Sequence, residues 1–481
     1  IVFLLIVSSV FLYKKYSGAS MNDSQQKTIA VIPFVNLSAL KDDEYFSDGV
    51  CNEIQTQLSK IGALNVISRT SMLQFKDTKK TMKEIGDAIS ADVLLEGSVQ
   101  KANDKVHINM QLIDAKNDKQ LWADTYDKDF KDIFSIQSDI AKSVAVQLKA
   151  TLTSSEKAQI EKRPTTNMEA YNLYLKGNFE INKITPEGME NGLVMLNKAI
   201  KLDPQFALPY AGIAYYYGLA TDFYMSPNDA MPQLRIAAQT AIAMDSTLAE
   251  AHVLLGMYEL WYAWDWEKAQ TEIEKAIELK PNDYFAHFFN SWYLVKSGRF
   301  DEAKREGARM VQLEPMTGEE NSFNAMIYYF ARQYDEALRL LDKSATIDPN
   351  YPFTYFFRGQ CYIQQGKFTE AIEEQKRGHE LFAAPWSYAR VAYAYARAGK
   401  TREAISILDS LKKQSAKTYV ASDVVASVYV AIGDKEHAFE YLDKAVNERA
   451  GWMLYLNVDP IWDPIRNDTR FITILKKMGL K

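Results

Sequence analysis

The sequence is poor in the residues that catalysis and metal binding usually require. Only two cysteines, Cys51 and Cys361, occur in 481 residues, and they fall in different predicted domains, which argues for two separate thiols rather than a disulfide or redox pair. The five histidines, His107, His252, His287, His379 and His437, are scattered with no metal-ligand spacing between them. No GxGxxG or GxxxxGK[ST] loop cradles a phosphate, and neither GxSxG nor HExxH occurs. The acidic pairs Asp301-Glu302 and Asp335-Glu336 open helices, where negative charge suits the dipole. Glu44, Asp48, Arg69 and Glu96 are read as turn, cap and ion-pair residues, with the lining of a pocket as the alternative. An excess of positive charge is missing too. The formal net charge is −6, which argues against direct contact with nucleic acid. The expectation is a non-enzymatic chain with no catalytic residue, metal or cofactor.

What the sequence has in quantity is a period. Ala269, Ala303, Ala337, Ala371, Ala404 and Ala438 follow one another at 34, 34, 34, 33 and 34 residues. Similar words surround them: Asp265-Trp266-Glu267-Lys268-Ala269, Gly298-Arg299-Phe300-Asp301-Glu302-Ala303 and Gly366-Lys367-Phe368-Thr369-Glu370-Ala371. Pro281, Pro315 and Pro349 repeat at the same interval. Proline lacks an amide donor and disfavours helix in the residue before it, so it separates one helix pair from the next. The pattern resembles tetratricopeptide repeats (TPRs). It predicts about eight helix-turn-helix units over 169–450. The 42 residues from Pro204 to Ser246 place an insertion of about eight in the Thr221 to Pro232 loop. Residues 451–481, with a last helix over Thr469 to Met478, are expected to cap the array.

The chain begins at Ile1, and Ile1 to Tyr13 is apolar apart from Ser8 and Ser9. Thirteen residues are too few to cross a hydrocarbon core, which needs about twenty. Residues 1–16 therefore read as a truncated transmembrane helix, and 17–27 as a tether in which Met21 could start a soluble form. A secretory signal would need a basic leader and a cleavage site that are not visible. Taken alone, Lys14-Lys15 would place the rest of the chain in the cytoplasm.

Between Thr28 and Ala150 the pattern changes to mixed strand and helix. Val106, Ile108, Met110 and Leu112 alternate with His107, Asn109 and Gln111, as in a strand with one buried face. The words Ile29-Ala30-Val31-Ile32-Pro33-Phe34, Glu44-Tyr45-Phe46-Ser47-Asp48-Gly49, Val66-Ile67-Ser68-Arg69, Leu95-Glu96-Gly97-Ser98-Val99 and Leu121-Trp122-Ala123-Asp124 resemble the amino-terminal domain of TolB. In bacterial proteins of that kind, the resemblance implies a domain placed between a membrane helix and a TPR array, with a DNA-binding, cyclase or kinase module ahead of the helix.

The fold class read from the sequence is thus an α+β domain over 28–150, a charged connector over 151–168, and an all-α TPR solenoid with its cap. Aromatic residues make up 12% of the chain, and two rows at repeat spacing are candidates for a peptide-binding groove: Tyr258, Trp292, Met326 and Tyr393, and beside them Trp261 and Tyr329, with Arg397 as a polar partner. The alternative is that these large side chains pack between helix pairs. The expected function is a protein-binding sensory or scaffold region of a membrane-anchored bacterial signalling protein, a transcriptional regulator whose output domain lies outside this chain. Its expected location is the inner membrane, single-pass, with both regions periplasmic and a homodimer as a further expectation. The rivals are an accessory region of a nucleotide cyclase or kinase, and a stand-alone scaffold.

Overall fold

The computed structural model describes residues 26–38, 43–223, 225–415 and 419–480. The membrane helix and most of the tether expected at 1–27 lie outside the described residues. Among those described, no helix is long and apolar enough to cross a membrane. The chain folds as a small sheet domain followed by a helical, TPR-like solenoid.

The sheet domain contains β1 (Lys27–Val31), β2 (Val35–Asn36), α1 (Glu44–Ser59), β3 (Leu64–Val66), α2 (Arg69–Leu73), α3 (Met82–Ile89), β4 (Val93–Ala102), β5 (Lys105–Asp114), β6 (Lys119–Asp129) and α4 (Ile133–Gln147). The strand order is β3-β1-β4-β5-β6, with β2 also on β4. The pairs β3/β1 and β1/β4 are parallel, and the two hairpins β4/β5 and β5/β6 are antiparallel. Val106, Ile108 and Leu112 turn inward as their alternation requires and meet Phe46, Ile54, Ile136 and Ile140 from α1 and α4. On the opposite face, Ala30 and Leu94 pack under Met72, Ile85 and Ile89 of α2 and α3.

The connector is not a loose linker. Thr153 and Glu156 form a capping box that starts α5 (Ser154–Ile160), and Ile160 is buried in the core of the sheet domain. Eight helix pairs follow. The first four are α6 (Met168–Ile181) with α7 (Pro186–Leu202), α8 (Ala207–Phe223) with α9 (Pro227–Met244), α10 (Ala249–Tyr258) with α11 (Trp266–Leu279), and α12 (Tyr284–Lys296) with α13 (Phe300–Leu313). The last four are α14 (Gly318–Phe330) with α15 (Tyr334–Ile347), α16 (Pro352–Gln364) with α17 (Phe368–Leu381), α18 (Pro385–Arg397) with α19 (Thr401–Gln414), and α20 (Ser422–Ile432) with α21 (Lys435–Glu448). The six clock alanines are all fully buried where first and second helices meet. The extra residues of the second pair lengthen its helices to 17 and 18 residues, rather than forming the expected loop, and Pro232 lies inside α9.

The two parts are joined by a buried polar seam. The Asn282 side chain donates to the carbonyls of Ser59 and Ile61 at 3.3 and 3.0 Å and accepts from the Val66 amide at 3.2 Å. Arg309 bridges Asn282 and Asn65 at 2.9 and 2.6 Å. The Ser68 amide donates to the Leu313 carbonyl at 2.8 Å. The free edge of β3 is thereby covered by turns of the array, which removes unpaired strand groups from solvent.

Candidate functional site

In the array, successive first helices touch one another from α6 through α8, α10, α12, α14, α16 and α18 to α20, while each second helix packs on the first helices to either side. The first helices therefore form the inner face, and their inward side chains define the candidate site.

The structure divides that face in two along the helix axes. On the C-terminal halves of the first helices, Trp292 is 0%, Met326 1%, Tyr329 2% and Tyr393 0% exposed. Tyr258 is buried beside Tyr262, ring centroids 5.5 Å apart. Trp261 is half-buried with its ring edge-on to Phe289 at 5.1 Å. Arg397 donates to the Tyr393 hydroxyl at 3.2 Å. The five residues Tyr258, Trp292, Met326, Tyr329 and Tyr393 are thus buried, while Trp261 and Arg397 keep a half-exposed side chain.

What covers the middle of this row is the end of the same chain. After α21 the backbone makes two 3-10 turns, Gly451–Tyr455 and Pro460–Ile465, and a last helix, α22 (Thr469–Lys477). The Tyr455 ring meets Trp292 edge-on at 5.3 Å and stacks on Phe330 at 4.8 Å. Asn457 donates to the Lys296 carbonyl at 2.8 Å. Arg332 clasps Asp463 with two bonds of 2.7 and 2.9 Å, and the Trp266 indole donates to the Met478 carbonyl at 2.9 Å. Leu454 and Tyr455 belong to the core of the middle repeats, whereas Met453, Leu456, Ile461 and Trp462 belong to that of the last repeats. The tail stitches the two cores together. At about 1.5–3 kcal/mol for each fully buried large apolar side chain, these six alone contribute gross burial of on the order of 10 kcal/mol, against which stands the entropy of ordering the tail. The tail is a structural part of the array, its side chains belonging to both cores.

The N-terminal halves of the first helices stay open. Rings run along them in unbroken contact: Phe285 on Phe288 at 6.2 Å, Phe288 on Phe323 at 5.2 Å, Phe323 on Phe353 at 5.7 Å and Phe353 on Trp386 at 5.1 Å. Phe285, Phe323, Phe353 and Trp386 are half-buried. Glu319 lies one helical turn before Phe323 on the same side of α14 and is exposed, with Glu320 and Glu314 buried behind it. Burial pushes the Glu314 carboxyl up to about 7 and that of Glu320 well above the usual range, helped in Glu320 by repulsion from its two acidic neighbours. A cavity of about 20 Å³, the size for one water, opens where this half meets the tail and is lined by Phe353, Gln360, Trp386, Arg390 and Trp452 among others. Among the described residues no group of three His, Cys, Asp or Glu side chains is placed to hold a metal ion. His252 and His287 instead each bridge a glutamate of the second helix (Glu272, Glu306) and a carbonyl.

The open row escapes a sequence reading based on one residue per repeat, because Glu319 interrupts the aromatic succession Phe285, Phe353 and Trp386. The 34-residue offset from Phe285 through Glu319 to Phe353 is the signal that would have found it.

Comparison with known proteins agrees with the two-part fold. Residues 25–143 match the second domain of HilA/YgeH-like transcriptional regulators, over the span where the words similar to TolB occur, and residues 354–381 match a tetratricopeptide repeat. The chain is 31% identical over 253 residues to "Putative adenylate cyclase 3" of Rhizobium meliloti (strain 1021), covering 52% of this chain and 42% of that one. It is 24% identical over 172 residues to the transcriptional regulator HilA of Salmonella typhimurium, covering 36% and 31%. It thus spans less than half the length of both relatives. Among solved structures, a thermophilic TPR protein of Thermus thermophilus shares 20% identity at a TM-score of 0.35, covering 38% of this chain and 98% of that one. YrrB, a TPR protein with an unusual peptide-binding site, shares 19% at 0.29, covering 39% and 92%. At these scores neither structure bears on function. The chain thus carries a tetratricopeptide repeat within a TPR-like solenoid, and its sheet domain is similar to the second domain of HilA/YgeH-like regulators.

Proposed function

We propose that this chain is the non-enzymatic, protein-binding sensory region of a membrane-anchored bacterial signalling protein, with the sheet domain next to the bilayer on the periplasmic side and the array as the receiver. The observation that carries the reading is the seam of Asn282, Arg309 and Ser68. A domain similar to part of a transcriptional regulator is fixed to the array by buried hydrogen bonds, so a ligand that reshapes the array also moves the sheet domain. The output module of such a protein is a DNA-binding domain outside this chain. A cyclase module is the second reading, favoured by the relative named as an adenylate cyclase.

The test is a crosslinking pull-down from bacterial membranes with the full chain and with Asn282→Ala, coupled to a reporter of the intact gene product. A partner captured by both proteins, with a reporter response lost only in the variant, is the expected result. Absence of any partner under all growth conditions overturns the reading. Carbonate-washed membranes test the anchor, because a soluble chain appears in the wash.

A further inference from the structure

The open half of the inner face has a composition that selects a ligand. We propose that it binds a basic peptide segment of a protein partner, with Glu319 pairing a lysine or arginine and the half-buried rings of Phe285, Phe323, Phe353 and Trp386 packing the apolar residues that flank it. This rests on the reading of the array as a protein-binding scaffold and adds the site and the chemistry of its ligand.

Three observations converge. First, Glu319, the exposed carboxylate of the row, has no lysine, arginine or histidine within ion-pair distance among the described residues, although ion pairs are frequent on the rest of the array. An exposed carboxylate without counter-charge beside an apolar row favours a cationic partner. Second, the aromatic row continues over four successive repeats. That continuity suits an extended chain presenting apolar side chains at intervals.

Third, Gln360 faces the cavity at the far end of the row. It is 3% exposed, and neither its amide nitrogen nor its amide oxygen has a hydrogen-bond partner. Such a group is costly to leave unpaired. The cavity is too small for a side chain and admits only a water or a main-chain amide edge. A peptide laid along Phe353 and Trp386 brings main-chain donors and acceptors to that point. A nucleic-acid strand, which would also stack on aromatic rings, is disfavoured because its phosphates would meet Glu319 and no cation is paired with that carboxylate among the described residues.

The experiment uses the full chain and three fluorescein-labelled peptides of about ten residues in which leucine and phenylalanine alternate with lysine, glutamate or glutamine, read by fluorescence polarisation. The lysine peptide is expected to bind about tenfold tighter than the glutamate peptide, and Glu319→Gln to weaken it about tenfold. Trp386→Ala is expected to abolish binding. Glu278→Gln with Asp301→Asn, on the outer helices α11 and α13, controls for general attraction to an acidic protein and is expected to leave affinity unchanged. Equal affinity for the lysine and glutamate peptides, or no effect of Glu319→Gln, overturns the charge assignment. If Trp386→Ala still abolishes that binding, the scaffold reading survives. Binding of no peptide to the folded chain overturns the inference, and the scaffold reading is then decided by its own pull-down.

Discussion

The phenol of Tyr329 donates a 3.0 Å hydrogen bond to Asp459, and both groups are buried. Asp459 also accepts from the Ile461 amide at 3.0 Å. One aspartate thus ties the inner face of the fifth repeat to the returning tail and starts the second 3-10 turn. Replacing it with alanine strands the Tyr329 hydroxyl in a closed interior, at a cost of about 1–3 kcal/mol. Tyr455→Ala removes a ring packed between Trp292 and Phe330 and costs about 3–5 kcal/mol. Chemical denaturation followed by circular dichroism measures both. A tail that left the groove easily would give values near zero, and deletion of residues 451–481 would then yield a folded array instead of the expected insoluble one.

The seam between sheet domain and array responds to pH through Glu314, which accepts a hydrogen bond from Ser71 and whose carboxyl burial pushes up to about 7. A folded-state pKa raised above the unfolded one contributes stability that is full below the unfolded value and lost as pH rises through the folded value. Between about pH 5 and pH 8, ionisation of Glu314 therefore lowers stability, by on the order of 1–3 kcal/mol. Glu53, also raised to about 7 by burial, adds in the same direction. Thermal melts of the native chain are expected to fall over that range. Glu314→Gln flattens the slope, and an unchanged slope in that variant would show that this carboxyl is not the source.

The repeat was legible because it is local. The clock alanines mark where two helices of one pair approach, and Val106, Ile108 and Leu112 alternate because one face of β5 is buried, so both features appear within a few residues of chain. The tail was not legible in the same way. Trp452 and Tyr455 lie outside the period, and nothing in their spacing says that they return to Trp292 and Phe357. Long-range packing also decided the second repeat. Pro232 signals a break, and a proline inside a helix costs about 3 kcal/mol, yet buried Ala230, Met231, Leu234 and Ala238 hold α9 together around it. The capping box Thr153/Glu156, in contrast, was readable as a Thr-x-x-Glu signal within the span assigned to a connector.

Gly192 of α7 faces Gly177 of α6 at a close approach within the first repeat. A methyl group at 192 would lie 2.6 Å from the Gly177 carbonyl oxygen and 2.5 Å from the Ile181 side chain. Alanine normally stabilises a helix interior over glycine by about 0.5–1 kcal/mol. Here overpacking against backbone wins, and Gly192→Ala is expected to destabilise by about 1–3 kcal/mol. A gain in melting temperature would mean that the two helices separate freely.

Both cysteines are buried and free. Burial pushes the Cys51 thiol up to about 12 and raises Cys361 as well, so little thiolate exists at neutral pH. A thiol reagent added to the native chain is expected to label neither residue on the timescale of an exposed cysteine, and both together in denaturant. Fast labelling of Cys51 alone would report local opening of α1 against β1 and β2.

The coupling of the two parts is tested most directly at Asn282. Its amide satisfies the carbonyls of Ser59 at the end of α1 and Ile61 just beyond it and one amide of β3, and its oxygen also takes the Arg309 guanidinium. With alanine there, those groups lose their partners in a buried seam, each costing about 1–3 kcal/mol where water cannot replace it. The cores of the sheet domain and of the middle repeats are separate clusters, so weakening the seam need not unfold either one. Calorimetry of Asn282→Ala is therefore expected to split one unfolding transition into two, with the sheet domain and the first repeat melting apart from the later repeats. A single transition lowered uniformly would show instead that stacking of successive repeats, beginning with the first, whose Tyr171 and Leu175 belong to the core of the sheet domain, couples the two parts without the seam.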